Sequence, residues 1–294
     1  MRYVTFTESG STRIGVINDR GVIDLSVAAP DLPSSMRALI EAGPDAWAVA
    51  RDVAEGVSPH YPLDAVRLEA PIGDPGKVLA IGLNYGDHIK ESGMEAPKHQ
   101  VWFNKQRNCI TGPCDPVDVP SAAPDYVDYE AELCIVIGRH CRHVPRERAR
   151  EVIFGYTCGN DVSVRDWQMR TPTMTMGKSF ATHGPIGPWI VTPDEFGDPH
   201  DAGIRCYVNG ELRQESNTAE LIYDCYDQIA ELTRAFPLDP GDVLFTGTPH
   251  GVGAAMKPPK FLKAGDVVRV EIDRIGAIEN PLLNENARTM IGDG

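Results

Sequence analysis

Three carboxylates stand at the ends of two apolar runs. Glu130 and Glu132 are two apart and open onto Leu133-Cys134-Ile135-Val136-Ile137. On a strand, residues two apart point to the same face, so the pair projects together from the entrance of a buried strand. Asp161 follows a second apolar run, Val152 to Cys158, and can bring a third carboxylate from a neighbouring strand end. Three carboxylates with no paired His or Cys make a hard, oxygen-only site. Such a site suits Mg²⁺, Mn²⁺ or Ca²⁺ better than Zn²⁺ or copper. A lone Glu-x-Glu is more often a solvated strand end, because acidic residues are mostly exposed.

Two further groups carry chemistry. His88 and Glu91 are three apart in Asn84-Tyr85-Gly86-Asp87-His88-Ile89-Lys90-Glu91-Ser92-Gly93, which reads as a short helix or lid. On a helix they share a face, and a carboxylate–imidazole hydrogen bond raises the basicity of the His. The plainer alternative is a surface ion pair of little worth. Lys178 stands in Met176-Gly177-Lys178-Ser179, the tail of a phosphate-binding loop. Pro172 occupies the place of that loop's first Gly, and Pro185 and Gly187 follow where a helix would be needed, which argues against nucleotide binding. The Gly247-Thr248-Pro249-His250-Gly251-Val252-Gly253 loop lacks dinucleotide spacing. A His-Glu-x-x-His pair and a Gly-x-Ser-x-Gly elbow are both absent from the sequence.

Composition narrows the partners. The 42 acidic residues outweigh 28 basic ones, and no Lys/Arg block stands out, so a nucleic-acid partner is not expected. The seven cysteines are odd in number and scattered, with no Cys-x-x-Cys pair to suggest a zinc or a redox dithiol. Met1 is followed by strand-like sequence and no apolar stretch is long enough to span a bilayer. The expectation is a cytoplasmic protein with no membrane partner.

The elements that must position these groups are mostly short strands. Residues 1–70 read as a small α+β N-terminal domain, with strands at Tyr3-Val4-Thr5-Phe6 and Arg13 to Ile17. Helices are expected over Ser34–Ala42 and Asp45–Ala54, the second with Asp45 as N-cap. Leu68 to Gly76, with Pro71, Gly73, Pro75 and Gly76, reads as a linker into a catalytic domain over 71–294. There, Lys77 to Leu83, Val101-Trp102-Phe103 and Val267 to Ile272 are strands, and Val144 to Val152 is a short charged helix. Ile204 to Arg213 is a hairpin turning at Asn209-Gly210. Ala219 to Phe236 is the one long amphipathic helix, with Leu221, Ile222, Cys225, Ile229 and Leu232 as its apolar stripe. Asn217 and Glu220 are its capping pair. Many short strands with few long helices predict a β-rich α+β fold.

From Lys77 to about Pro281 these motifs together resemble the fumarylacetoacetate hydrolase family. The likeness is to its bacterial acylpyruvate hydrolases, 2-oxo-acid decarboxylases and hydroxymuconate-type isomerases. The resemblance aligns Glu130 and Glu132 with the family's metal pair and Asp161 in Asn160-Asp161-Val162-Ser163 with the third ligand. It aligns Lys178 with the site lysine, and Gln168, after Arg165-Asp166-Trp167, with a substrate-contacting Gln. His88 and Glu91 match a lid dyad that positions a water, and Thr248 matches a loop that caps the substrate carboxylate. It implies a fumarylacetoacetase-like mixed β-roll with a small N-terminal domain. It further implies a Mg²⁺ or Mn²⁺ ion (Ca²⁺ as a substitute), no organic cofactor, and a homodimer. The implied reaction is metal-dependent cleavage of the carbon–carbon bond of a 2,4-dioxo acid to pyruvate and a carboxylic acid. Oxaloacetate decarboxylation, isomerisation of a hydroxymuconate-type diacid and non-catalytic 2-oxo-acid binding are the alternatives. The chain departs from the family pattern at Ala181 and His183, where an Asp and an aromatic residue are usual, and His183 is near enough in sequence to contact substrate. It departs also at Asn104-Lys105, where many members have Lys-Pro.

Overall fold

The computed structural model describes residues 1–18, 20–87 and 97–292. The chain begins with the strands β1 (Arg2–Glu8), β2 (Ser11–Asn18), β3 (Gly21–Asp24) and β4 (Arg67–Leu68). Then come β5 (Val78–Gly82), β6 (Val101–Lys105), β7 (Ile110–Thr111), β8 (Val117–Val119) and β9 (Val127–Asp128). The central strands are β10 (Ala131–Ile137), β11 (Ile153–Asn160), β12 (Ser163–Val164) and β13 (Gly184–Val191). The last are β14 (Gly203–Val208), β15 (Glu211–Asn217), β16 (Val243–Phe245), β17 (Val267–Ile272) and β18 (Gly276–Asn284). The strand-rich α+β class expected from the sequence is present.

Nine of these strands form one mixed sheet in the order β3-β2-β1-β13-β11-β10-β16-β5-β6, with β4 on β1 and β7 on β13. A smaller sheet, β15-β14-β17-β18-β8, packs on it. Every residue of β10 and β11 is buried, as befits strands covered on both faces and as their unbroken apolar runs announce. Between the sheets Leu133, Ile135 and Cys158 share a core with Ile204, Cys206, Val268, Val270 and Ile278.

Three local expectations are corrected. The helix expected over Ala219–Phe236 is only Cys225–Ala235, shorter than the 13-residue helix Pro44–Gly56, and its capping box is Asp224 with Asp227. The backbone of 221–223 is claimed instead by Asn84: the N–H of Ile222 donates to the Asn84 carbonyl at 2.8 Å, and that of Tyr223 to Asn84 Oδ1 at 2.9 Å. Asn217 caps only a single 3-10 turn, Thr218–Glu220. The helix expected from Asp45 starts at Pro44 with Gly43 as N-cap, since Pro needs no N–H partner at the first helical position. The charged segment Arg146–Val152 is a 3-10 helix.

Residues 1–70 do not build a sheet of their own. β1 pairs antiparallel with β13 at Arg2↔Val191 and Tyr3↔Ile190. Tyr3, Ile14 and Leu39 pack with Val78, Cys134 and Phe154 in one core. The Pro-rich stretch after Leu68 is anchored by buried Ala70 and Ile72. The Asn209-Gly210 hairpin forms as expected, with φ of 53° and 79°, the two positive values a type I′ turn requires.

Candidate metal centre and active-site cavity

Strand register assembles the carboxylates. β10 pairs antiparallel with β11 at Ala131↔Asn160 and Glu132↔Gly159, and the Asp161 N–H donates to the Glu130 carbonyl at 2.9 Å. Glu130 and Asp161 are therefore opposite one another, on the same sheet face as Glu132. One oxygen from each lies within 4.8 Å of the other two, and all three residues are buried. Burial, then the charges of Asp161 and Glu130, push the Glu132 carboxyl well above the usual carboxylate range. The Gly247 N–H donates to Glu132 Oε2 at 2.6 Å. The donor set is carboxylate oxygen alone, converging and desolvated, which fits a hard divalent cation.

Two buried lysines and a half-buried arginine surround the triad. Lys178 Nζ donates to Glu130 Oε2 at 2.7 Å and to Asp161 Oδ2 at 2.8 Å. It arrives there on the short helix Thr175–Lys178, which lies against the helix Arg165–Gln168. Only Gly at position 177 permits that approach: a Cβ there would sit 2.1 Å from the Gln168 nitrogen. Arg165 donates through Nη1 to Glu130 Oε1 at 2.5 Å and to Gln168 Oε1 at 2.9 Å, and through Nε to Asp128 Oδ2 at 2.9 Å. Lys105 Nζ donates to Asp161 Oδ1 at 2.6 Å. Burial lowers the Lys105 ammonium, but Asp161, Cys109 and Glu130 together outweigh that and raise it above the ordinary lysine value.

A cavity of about 430 Å³ opens beside this cluster. Glu130, Arg165, Gln168, Lys178 and Thr248 provide its polar wall. Ile81, Val101, Phe103, Met169 and Met174 provide apolar wall. Thr248 Oγ1 accepts from Gln214 Nε2 at 2.8 Å, and Gln214 also takes the Ala131 N–H at 2.9 Å. The loop over Thr248 is thus tied to the start of β10.

Of the residues singled out from sequence, Glu130, Glu132, Asp161, Lys178, Gln168 and Thr248 come together here. His183 does not join them. Its imidazole is fully buried behind the site, donates through Nε2 to the Asp118 carbonyl at 2.8 Å, and packs on Phe180. His88 and Glu91 lie outside the described residues. Lys105, Arg165 and Asp128 belong to the site but were not singled out as site residues. A Lys ending the Val101–Lys105 strand, and an Arg one helical turn before Gln168, were the available signals.

Residues 77–283 match the family model described as fumarylacetoacetate (FAA) hydrolase C-terminal. The chain belongs to the fumarylacetoacetate hydrolase family. It is 44% identical over 289 residues to an oxaloacetate tautomerase named as mitochondrial from Xenopus laevis, covering 96% of this chain and 90% of that protein. Maleylpyruvate hydrolase from Sphingobium sp. SYK-6, solved with manganese(II) and pyruvate, superposes with a TM-score of 0.81 at 31% identity. That match covers 97% of this chain and all of the other. A 5-carboxymethyl-2-hydroxymuconate delta-isomerase from Mycobacterium smegmatis gives a TM-score of 0.77 at 35% identity, with 98% of this chain and 100% of that one covered. Fumarylacetoacetate hydrolase relatives of this chain thus include a tautomerase, a hydrolase and an isomerase. Among the described residues no helix is long and apolar enough to cross a membrane.

Proposed function

We propose that the protein is a divalent-metal-dependent enzyme that moves a proton at the carbon beside the 2-oxo group of a small 2-oxo acid. Its proposed reaction is the keto–enol tautomerisation of oxaloacetate. The observation that carries this reading is the oxygen-only triad bonded to a buried lysine that lines a cavity. The 44% identity to an oxaloacetate tautomerase along 96% of the chain supports the choice of substrate.

Mg²⁺ or Mn²⁺ held by Glu130, Glu132 and Asp161 would act there as a Lewis acid toward the 2-oxo oxygen. Lys178 presents positive charge from the cavity wall, where oxyanion character builds as the proton leaves carbon. Arg165 holds Glu130 in place and is itself held by Asp128. Gln168 and Thr248 orient the substrate carboxylate. His88, in the dyad with Glu91 that the family resemblance implies, would carry the proton. The unpaired state of all seven cysteines suits a reducing compartment, cytoplasmic or mitochondrial. The homodimer belongs to the same reading.

Hydrolysis of an acylpyruvate to pyruvate and a carboxylic acid is the second reading. The likeness to maleylpyruvate hydrolase supports it, as does the apolar cavity wall, which has room for a substrate tail. In that reaction His88 deprotonates the attacking water.

The enol absorbance of oxaloacetate and of an acylpyruvate panel, followed with Mn²⁺ and with chelator, separates these. Faster enol loss from oxaloacetate without pyruvate is the expected result. Pyruvate from oxaloacetate means decarboxylation, and pyruvate from the panel means hydrolysis. Mn²⁺ binding with no turnover of any of them would leave a binding protein. In either catalytic reading, His88→Ala should lose roughly 10²–10⁴-fold in rate.

A further inference from the structure

The site holds two buried lysines on one aspartate, and their remaining bonds differ. Lys178 Nζ donates to Glu130 Oε2 and Asp161 Oδ2, and it lines the cavity. An ammonium has three N–H groups, so Lys178 keeps one for a substrate oxygen. Lys105 Nζ donates to Asp161 Oδ1 at 2.6 Å, to the His183 carbonyl at 3.0 Å and to the Lys178 carbonyl. All three of its N–H groups are thereby spent on protein acceptors. Its ammonium is wholly buried and it is not among the residues that line the cavity.

We infer that Lys105 is a positioning residue for the metal centre. It takes no part in proton transfer and touches no substrate. With Oδ1 held by Lys105, Asp161 Oδ2, which accepts from Lys178 at 2.8 Å, is the oxygen that would be left to a metal ion shared with Glu130 and Glu132. Its bonds to the two carbonyls join the segment that carries Lys178 to the same point. One ammonium thus sets the spacing between a ligand and the substrate-facing lysine. An Arg fork would not fit this three-way bond, since its donors lie in a plane. The inference rests on the metal reading proposed above.

The test is Mn²⁺ affinity, read by electron paramagnetic resonance on purified protein, in wild type, Lys105→Met and Lys105→Gln. Metal-free melting temperature and the pH profile of turnover are measured alongside. The expected result is a Kd for Mn²⁺ raised by roughly 10–100-fold, the usual scale for loss of an outer partner of a ligand. The pH profile should keep its shape, because Lys105 exchanges no proton with substrate. A lowered melting temperature with a Kd within about twofold of wild type would make Lys105 a structural ion pair only and overturn the inference. A wild type that takes up no Mn²⁺ would overturn the metal reading itself, and this inference with it. Should neither variant fold, lysine-labelled wild type answers by NMR. The Lys105 ammonium should stay protected from exchange when Mg²⁺ is added while that of Lys178 shifts. Loss of Lys105 protection would overturn the inference.

Discussion

Two carboxylate–lysine clusters sit at opposite ends of the central strands. At one end, Asp242 precedes β16 and Lys77 precedes β5. Asp242 accepts the Lys77 N–H at 2.7 Å, the Asp239 N–H at 2.8 Å and the Lys77 ammonium at 2.7 Å. The adjoining Gly241 N–H donates to the Ile137 carbonyl at the end of β10. At the other end, Asp161 and Glu130 are held by the side chains of Lys105, Lys178 and Arg165 beside a cavity. The first cluster is a staple, since main-chain amides take its oxygens and cannot leave without unfolding the turn. In the second, side-chain cations hold the oxygens of Glu130 and Asp161 while the Gly247 N–H holds Glu132, and the cavity-lining Lys178 ammonium can swing away where an amide cannot. The difference separates a structural acidic cluster from one that can exchange partners for a metal ion.

The comparison breaks most clearly at Glu132. Glu132→Ala should abolish Mn²⁺ binding and bring turnover down to background in the enol assay, while the far cluster is untouched. Lys178→Met should come next, with turnover down by roughly 10²–10³-fold, the scale for removing one donor to a developing oxyanion. If Lys178 served only as a staple like Lys77, the loss would appear in the melting temperature and not in the rate.

A pH prediction concerns the core behind the site. Burial pushes the His183 imidazole down to about 4, against about 6.5 in an unfolded chain. The folded protein therefore prefers the neutral ring. That stability is complete above about pH 6.5 and drains away as pH falls toward 4, by roughly 3 kcal/mol in total. Urea unfolding of wild type and His183→Phe at pH 7 and pH 4.5 should show a smaller acid loss in the variant. The smallest effect is expected at the staple. Asp242→Asn should cost about 1–3 kcal/mol of stability by leaving a buried group mispaired, with Mn²⁺ affinity unchanged. A change in that affinity would erase the distinction between the two ends.

Much of the site was legible because its spacing is local. Glu130 and Glu132 share a face through the two-residue period of a strand, and Gln168 lies within a single helical turn of Arg165. His183 misled because nearness in sequence says nothing about which way a side chain turns. Its ring went into the core beside Phe180, while its carbonyl went to Lys105. A lysine at a strand end is usually solvated, and only the fold buries Lys105. The helix capped by Asp224 starts later than the local signals at Asn217 suggest, for a similar reason. Asn217 offers a fair local cap, but Asn84, far away in the chain, competes for the backbone that follows.

By itself the sequence determined the strand-rich class, the hairpin at Asn209-Gly210, the buried central strands and the shared face of two carboxylates. Each of these follows from a short period or a turn residue, which act over a few residues. Only the tertiary structure decided that Asp161 stands opposite Glu130, that Gly177 lets Lys178 reach both, and that Lys105 closes the cluster from behind. It also decided that the first strands extend the main sheet. Those outcomes depend on strand register and desolvation, and both arise from partners that local periodicity does not specify.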